Sequence, residues 1–307
     1  MMADAQTPTA ASSASSAARF DAHAARRALE RLARQPQPPW LHLEAARRMA
    51  ERLEWIRHQP DVVLDWSGAA GVNTALLAHA YPRAEQLVWR EGAMASAAAA
   101  PWWRRWTPGA SAPRSIESGG IRPGEAGLVW SNMRLHFEPD PLPMMQAWHL
   151  ALAPGAFLMF STLGPGSLAL LREVYAATGW GEAHAPFVDM HDLGDMLVAS
   201  GFAEPVMDQE TLSLSYGSAD ALLAELRGLG ANAAPGRYPG LRTPRWKARL
   251  LERLQARADR EGRLGLQLEL VYGHAFRGAD AGPRVEAQTQ IALDDMKSML
   301  RKPGRRQ

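Results

Sequence analysis

The amino-acid sequence predicts an α/β protein built on a mainly parallel sheet, with an antiparallel strand at one end. Three observations carry this. From Val62 onward, short apolar runs alternate with segments of helical spacing, the pattern of successive strand–helix units. The run Val62-Val63-Leu64-Asp65 passes directly into a small-residue turn, WSGAAG, and then into another apolar-spaced segment. A buried parallel strand hands over to a helix above a nucleotide-sized ligand in this way. Two further strands come late, after the alternation has ended, which implies a strand running against the rest.

The elements follow in order. Apolar residues recur at helical spacing among Arg and Glu over Phe20–Gln35 and Trp40–Arg57, and Pro36, Pro38 and Pro39 divide these two N-terminal helices. Residues 1–19 form an Ala/Ser-rich leader whose composition predicts disorder. The sheet domain spans 61–278. Strand one, Val62–Asp65, precedes a helix from about Asn73 to Ala80; strand two, Leu87–Trp89, precedes one from about Ala93 to Arg104. A Gly/Pro/Ser-rich stretch holds a short third strand near Arg114–Ile116. Strand four, Leu128–Ser131, leads to a helix over Leu142–Leu152, and strand five, Ala156–Ser161, to one over Ser167–Thr178. After a helix at His191–Ser200, Leu212 and Leu214 alternate with Ser213 and Ser215 in a late strand. Helices near Ala219–Gly228 and Pro244–Asp259 occupy an insertion of about 217–266, before a final strand, Leu268–Phe276. Residues 279–307 are expected to add a C-terminal helix and a basic tail.

Composition narrows the function. The chain has 307 residues, 47% of them apolar, enough for one large core. It has no Cys, which removes disulfides, thiolate metal sites and a thiol nucleophile. The net charge of +2 gives no broad field for nucleic acid, so no such partner is expected. No run approaches the roughly eighteen apolar residues of a bilayer span, and the N-terminus lacks the basic and apolar regions of a secretory signal. A cytoplasmic protein without a membrane partner is the expectation.

The turn after strand one is the first candidate site. Asp65 can accept a hydrogen bond or orient the turn, and amides around Gly68 to Val72 can face an anion at the helix start. The dinucleotide fingerprint G-x-G-x-x-G is absent. A tight turn without a ligand explains these residues nearly as well.

Further motifs extend the picture. GLVWSNMRLHF, Gly127 to Phe137, reads as a buried strand and its exit; Leu152-Ala153-Pro154-Gly155 precedes another buried strand ending in Ser161-Thr162. These resemble the regions around strands four and five of S-adenosylmethionine-dependent methyltransferases. STLGPGSLALLREVY, FVDMHDLGDMLVASGFAEPVMDQETLSLSY, LRGLGANAAPGR and GRLGLQLELVYGHAF resemble, in the same order, the biotin-pathway malonyl-(acyl-carrier protein) O-methyltransferases. The likeness runs from about Leu41 to Phe276. It implies a seven-stranded sheet with helices on both faces, S-adenosylmethionine as methyl donor, and a malonyl thioester on acyl-carrier protein as substrate.

The resemblance also marks departures. The family's first motif is acidic-x-Gly-x-Gly-x-Gly; here it reads Asp65-Trp66-Ser67-Gly68-Ala69-Ala70-Gly71. The acid that takes the ribose hydroxyls at the end of strand two is replaced by Arg90, with Glu91 one place later. Near the adenine, Glu117 is the available acid, and Gly127 stands where strand four commonly begins with Asp. The implied cofactor residues are Asp65, Ser67, Gly68, Gly71, Glu91, Glu117, Ser131 and Asn132. Each lost charged hydrogen bond costs roughly 1.5–3 kcal/mol, so weak cofactor binding is expected. A methyltransferase-like scaffold with weakened or no catalysis, binding a carrier or other protein, is the second reading.

No catalytic base is required, because a malonyl carboxylate is ionised at neutral pH. Tyr272 and His274 in LVYGHAF are candidates for holding it; the alternative is a half-buried strand with satisfied polar tips. Asp189, His191, Asp192 and Asp195 read as a helix start rather than a metal site, and no metal is expected. Trp102, Trp103 and Trp106 read as the apolar face of a helix end. Arg245, Arg249, Arg253 and Arg257 recur every fourth residue on one helix face, either as a solvated surface paired with Glu252 and Asp259 or as a docking surface for an acidic carrier protein.

Overall fold

A computed structural model describes residues 20–35, 37–66, 72–89, 113–117 and 120–278. The leader, the helix expected at Ala93–Arg104, the Trp102–Trp106 run, the turn residues Ser67, Gly68 and Gly71, Glu91, and the segment 279–307 lie outside these.

Eight α-helices and seven strands are present among the described residues. In chain order they are α1 (Ala22–Ala33), α2 (Trp40–Leu53), β1 (Val62–Asp65), α3 (Val72–Ala80), β2 (Glu85–Trp89), β3 (Arg114–Ile116) and β4 (Ala126–Asn132). Then follow α4 (Pro141–Ala151), β5 (Leu152–Leu163), α5 (Ala169–Thr178), α6 (Met190–Ala199), β6 (Phe202–Tyr216), α7 (Ala219–Gly228), α8 (Pro244–Gln255) and β7 (Leu264–Arg277). One 3-10 turn, Leu135–Phe137, follows β4.

All seven strands join one sheet in the order β3-β2-β1-β4-β5-β7-β6. Strands β1 to β5 pair in parallel, and β7 runs antiparallel to both β5 and β6. The antiparallel strand is therefore not at the end, as the sequence suggested, but one place in. The reason lies in the side chains. β6 alternates half-buried and exposed positions along its length, as an edge strand facing water must. The central part of β7, Leu268 to Ala275, is almost continuously buried, so it takes the covered position between β5 and β6.

Alternate residues of the central strands feed two cores. Val63, Leu128, Trp130 and Met159 pack with Leu41, Ala45, Met49 and Leu53 of α2 and Leu77 of α3. The four-residue spacing of those α2 positions makes one apolar stripe. On the other face, Leu64, Val129, Leu158 and Phe160 pack with Met145 and Trp148 of α4 and Leu193 and Leu197 of α6.

Among the expected ends that move, two matter here. β5 begins at Leu152 and runs through Ala153-Pro154-Gly155, where a helix end was expected. α8 stops at Gln255 rather than Asp259, leaving Arg257 beyond it. Asp189 caps α6, accepting from the backbone N–H of His191 at 2.8 Å.

β1 sits between β2 and β4. Strand order reverses there, and the carboxyl ends of β1 and β4 frame the crevice in which open α/β sheets bind ligands.

Candidate active site

Asp65, the last residue of β1, is buried. Asn73, in the first turn of α3, donates to both of its carboxylate oxygens at 3.0 Å. Asn132, the last residue of β4, donates from its amide to Asn73 Oδ1 at 3.3 Å and to the His42 carbonyl of α2 at 2.8 Å. Ser161 of β5 donates its hydroxyl to Asn132 Oδ1 at 2.8 Å and accepts from the Met133 N–H at 3.1 Å. One buried hydrogen-bonded chain thus crosses the ends of β1, β4 and β5. Such networks are rigid when satisfied and costly when broken.

The backbone is strained where it leaves β4. Met133 has φ 53°, left-handed for a side chain that avoids that region, and its N–H is fixed on Ser161 O at 3.0 Å. Non-glycine residues in this conformation concentrate at functional sites. The turn then brings His136 inward, its Nδ1 3.5 Å from Thr162 Oγ1. Burial, followed by His42 and Arg134 nearby, holds the imidazole near pKa 3. Burial likewise lowers His42 to about 4. Both rings are neutral at physiological pH.

Beyond His136 opens an apolar chamber of about 370 Å³. Leu163 ends β5 at its floor; Tyr175 of α5 and Phe187 form its sides; Leu223 and Leu226 of α7 and Trp246 and Leu250 of α8 roof it. Arg227 and Lys247 bring cations to its wall, Lys247 being paired with Asp220 at 3.4 Å. The loop after β5 is glycine-bound by contact: a Cβ on Gly164 or Gly166 would fall 2.0 or 2.4 Å from the Glu269 carboxylate.

Helix α1 packs beside the chamber, whose lining includes Phe20 just before it. Ala24 and Ala25 pack on Ala185, Ala233 and Ala234, Asp21 pairs with Arg237, and Gln35 donates to the Gly228 carbonyl at 3.0 Å. The backbone N–H of Ala24 and then the Arg237 guanidinium hold the Asp21 carboxyl below its usual pKa.

Of the residues singled out by the sequence, Asp65, Ser131 and Asn132 come together at the β1 and β4 ends. The Ser131 hydroxyl is buried and has no hydrogen-bond partner among the described residues. Glu117 is exposed just past β3, the far edge strand. Tyr272 and His274 line a different cavity, about 640 Å³, with Arg52, Trp55, His58 and Phe276. Tyr272 is buried beneath the Arg52 guanidinium, 4.0 Å from its ring centroid; burial, followed by the adjacent Glu210 carboxylate, pushes its phenol pKa up. Arg245, Arg249 and Arg253 are exposed on α8, while Arg257 pairs with Glu173 at 2.6 Å instead of Asp259.

Asn73, His42, Ser161, His136 and Thr162 were not singled out by sequence reasoning. Nor was the stacked pair Trp66–Trp89, with centroids 4.3 Å apart, at the adjoining ends of β1 and β2. The position of Asn73, opposite Asp65 across a ligand turn, is the signal that could have found it.

No family model matches the chain. Among solved structures, the YcgJ protein of Bacillus subtilis superposes with a TM-score of 0.53 at 11% identity, covering 76% of this chain and 98% of that one. A protein of Bacillus halodurans C-125, assigned by name to the methyltransferases, gives 0.51 at 13% identity, covering 77% and 100%. Strand order, the antiparallel β7 and the polar cluster at the β1–β4 crevice define the class: this is the seven-stranded methyltransferase fold. Sequence relatives are more specific. The malonyl-(acyl-carrier protein) O-methyltransferase of Gallionella capsiferriformans is 37% identical over 253 residues, 80% of this chain and 86% of its own. That of Laribacter hongkongensis is 37% identical over 273 residues, 85% and 88%; that of Nitrosospira multiformis is 34% identical over 279, 85% and 90%. The chain belongs to the malonyl-(acyl-carrier protein) O-methyltransferase family. No helix among the described residues is long and apolar enough to cross a membrane.

Proposed function

We propose that the chain transfers a methyl group from S-adenosylmethionine to the free carboxylate of a malonyl thioester on acyl-carrier protein, in biotin biosynthesis. The observation that carries this is the buried Asp65–Asn73–Asn132 cluster beside an apolar chamber. The unpartnered Ser131 hydroxyl and the fixed Asp65 carboxylate suit a polar cofactor at the crevice. Backbone amides of Ser67, Gly68 and Gly71 would meet its carboxylate, and Glu91 and Glu117 are the acceptors for its ribose and adenine. When bound, S-adenosylmethionine supplies an electrophilic methyl carbon whose passage to a carboxylate oxygen leaves a neutral thioether and moves no proton.

The protein's own task is to align and to exclude water. The apolar chamber walls reduce the water around the carboxylate. His136, which lines the chamber and is neutral, adds no positive charge there. Arg245, Arg249 and Arg253 project from the helix that roofs the chamber, with Arg257 beyond its end, and receive the acidic carrier protein that delivers the thioester. Residues 217–263, which hold α7 and α8, act as its lid.

A second reading, a scaffold with little or no catalysis, is supported by Ser67 and Ala69 in place of glycines and Arg90 in place of the ribose acid. The two readings separate by experiment. Incubating the protein with malonyl acyl-carrier protein and methyl-labelled S-adenosylmethionine should yield the labelled methyl ester, read by mass spectrometry. No ester at saturating donor would leave the scaffold reading.

A further inference from the structure

We propose that His136 receives the substrate carboxylate, donating a hydrogen bond to it from Nε2. The proposal rests on the carboxyl-methylation reading above and deepens it. His136 stands four residues beyond Asn132, after the strained Met133, where the polar cluster ends and the chamber begins. Phe187 meets its ring edge-on with centroids 6.1 Å apart, and Phe137 packs beside it at 4.4 Å. Thr162 Oγ1 lies 3.5 Å from Nδ1; in the tautomer that the proposal assigns, the ring proton sits on Nε2, and a neutral imidazole has one such donor to offer.

A neutral donor suits this chemistry better than a cation. The reacting carboxylate begins as an anion and ends as a neutral ester. A guanidinium or ammonium in contact would stabilise the starting anion and lose that stabilisation in the transition state, which slows the step. The chamber's two cations come from the late helices: Arg227 in the last turn of α7 and Lys247 on α8, the latter already engaged by Asp220. His136 comes from the turn after β4, close in the chain to the strand end that carries Asn132.

The test compares His136→Phe, which keeps the ring volume and loses the donor, with His136→Gln, which keeps a donor. Kinetics with malonyl acyl-carrier protein should show KM for the thioester raised ten- to a hundredfold in His136→Phe, the range for one hydrogen bond to a charged group, and largely restored in His136→Gln. S-adenosylmethionine affinity by calorimetry should be unchanged in both. A readout free of turnover is the ¹⁵N spectrum of histidine-labelled protein: malonyl-coenzyme A should shift the Nε2–H signal of His136 and leave Nδ1 unprotonated. That spectrum decides the proposal even if the unaltered protein forms no ester, an outcome that would count against the methylation reading alone. An unshifted Nε2 signal with malonyl-coenzyme A bound, an unchanged KM in His136→Phe, or a rise in KM in Arg227→Ala with none in His136→Phe would each overturn it.

Discussion

Asn73 donates to both carboxylate oxygens of Asp65, at 3.0 Å each, and so ties the first turn of α3 to the end of β1. The two residues bracket the turn Ser67–Gly71. The contact thus joins the two described elements on either side of that turn. Asn73→Ala should weaken S-adenosylmethionine binding about tenfold and lower stability by roughly 1–3 kcal/mol, the range for removing a buried hydrogen bond to a charged group. Calorimetry and thermal unfolding check this; unchanged affinity would show that the turn holds itself.

The two remaining acids should differ. Glu91 lies one residue past the position at which the family carries its ribose acid and is the acceptor proposed for the diol. Glu117 is exposed beyond the edge strand β3. Glu91→Ala should abolish methyl transfer to a malonyl thioester, whereas Glu117→Ala should weaken it less. Equal effects would assign neither residue to the ribose.

The arginine face of α8 makes a separate prediction. Reversing Arg249 and Arg253 to Glu should weaken association with acyl-carrier protein without lowering the melting temperature, since both side chains are exposed while Leu250 and Leu254 anchor the helix. The association of the unaltered protein should decline with salt, because exposed charges are screened beyond a Debye length. Binding that the double variant leaves unchanged would return the face to a solvated surface.

Much of this architecture was legible in the sequence because it is set locally. β1 at Val62–Asp65, β3 at Arg114–Ile116 and α7 at Ala219–Gly228 all fall where apolar spacing and turn residues predict them. The site was legible only in part. Asp65 and Asn132 stood out at strand ends, but Asn73 and His42 look like ordinary polar residues of helices; their roles come from Asn132, 59 and 90 residues away in the chain. The place of β7, between β5 and β6 rather than at the edge, was also hidden. Because it runs antiparallel, Phe276 pairs with Phe157 in the early part of β5, and the Tyr272–Phe276 stretch faces a cavity apart from the chamber that Leu268 reaches.

The buried histidines predict an acid sensitivity. His42 and His136 have folded pKa values of about 4 and about 3 against 6.5 for the free side chain. Below pH 6.5 the unfolded chain binds protons that the folded chain refuses, so stability falls as pH falls; above it neither ring contributes a slope. By pH 4.5, two units below the free value, each ring should have cost about 2–3 kcal/mol. The melting temperature should drop between pH 6.5 and 4.5, and His136→Gln should flatten that slope. A level melting profile over this range would mean that the rings are protonated or solvated in the fold.

The central claim is that the altered turn, Asp65-Trp66-Ser67-Gly68-Ala69-Ala70-Gly71, still holds the methyl donor, though weakly. Calorimetric titration with S-adenosylmethionine tests it most directly. The unaltered protein should give a saturable single-site isotherm of low affinity. The double variant Ala69→Gly, Arg90→Asp should bind ten- to a hundredfold more tightly, as expected for regaining one charged hydrogen-bond acceptor. Absence of any binding heat in both proteins would contradict the claim, and tight binding by the unaltered protein would show that the lost glycines and the lost acid cost nothing.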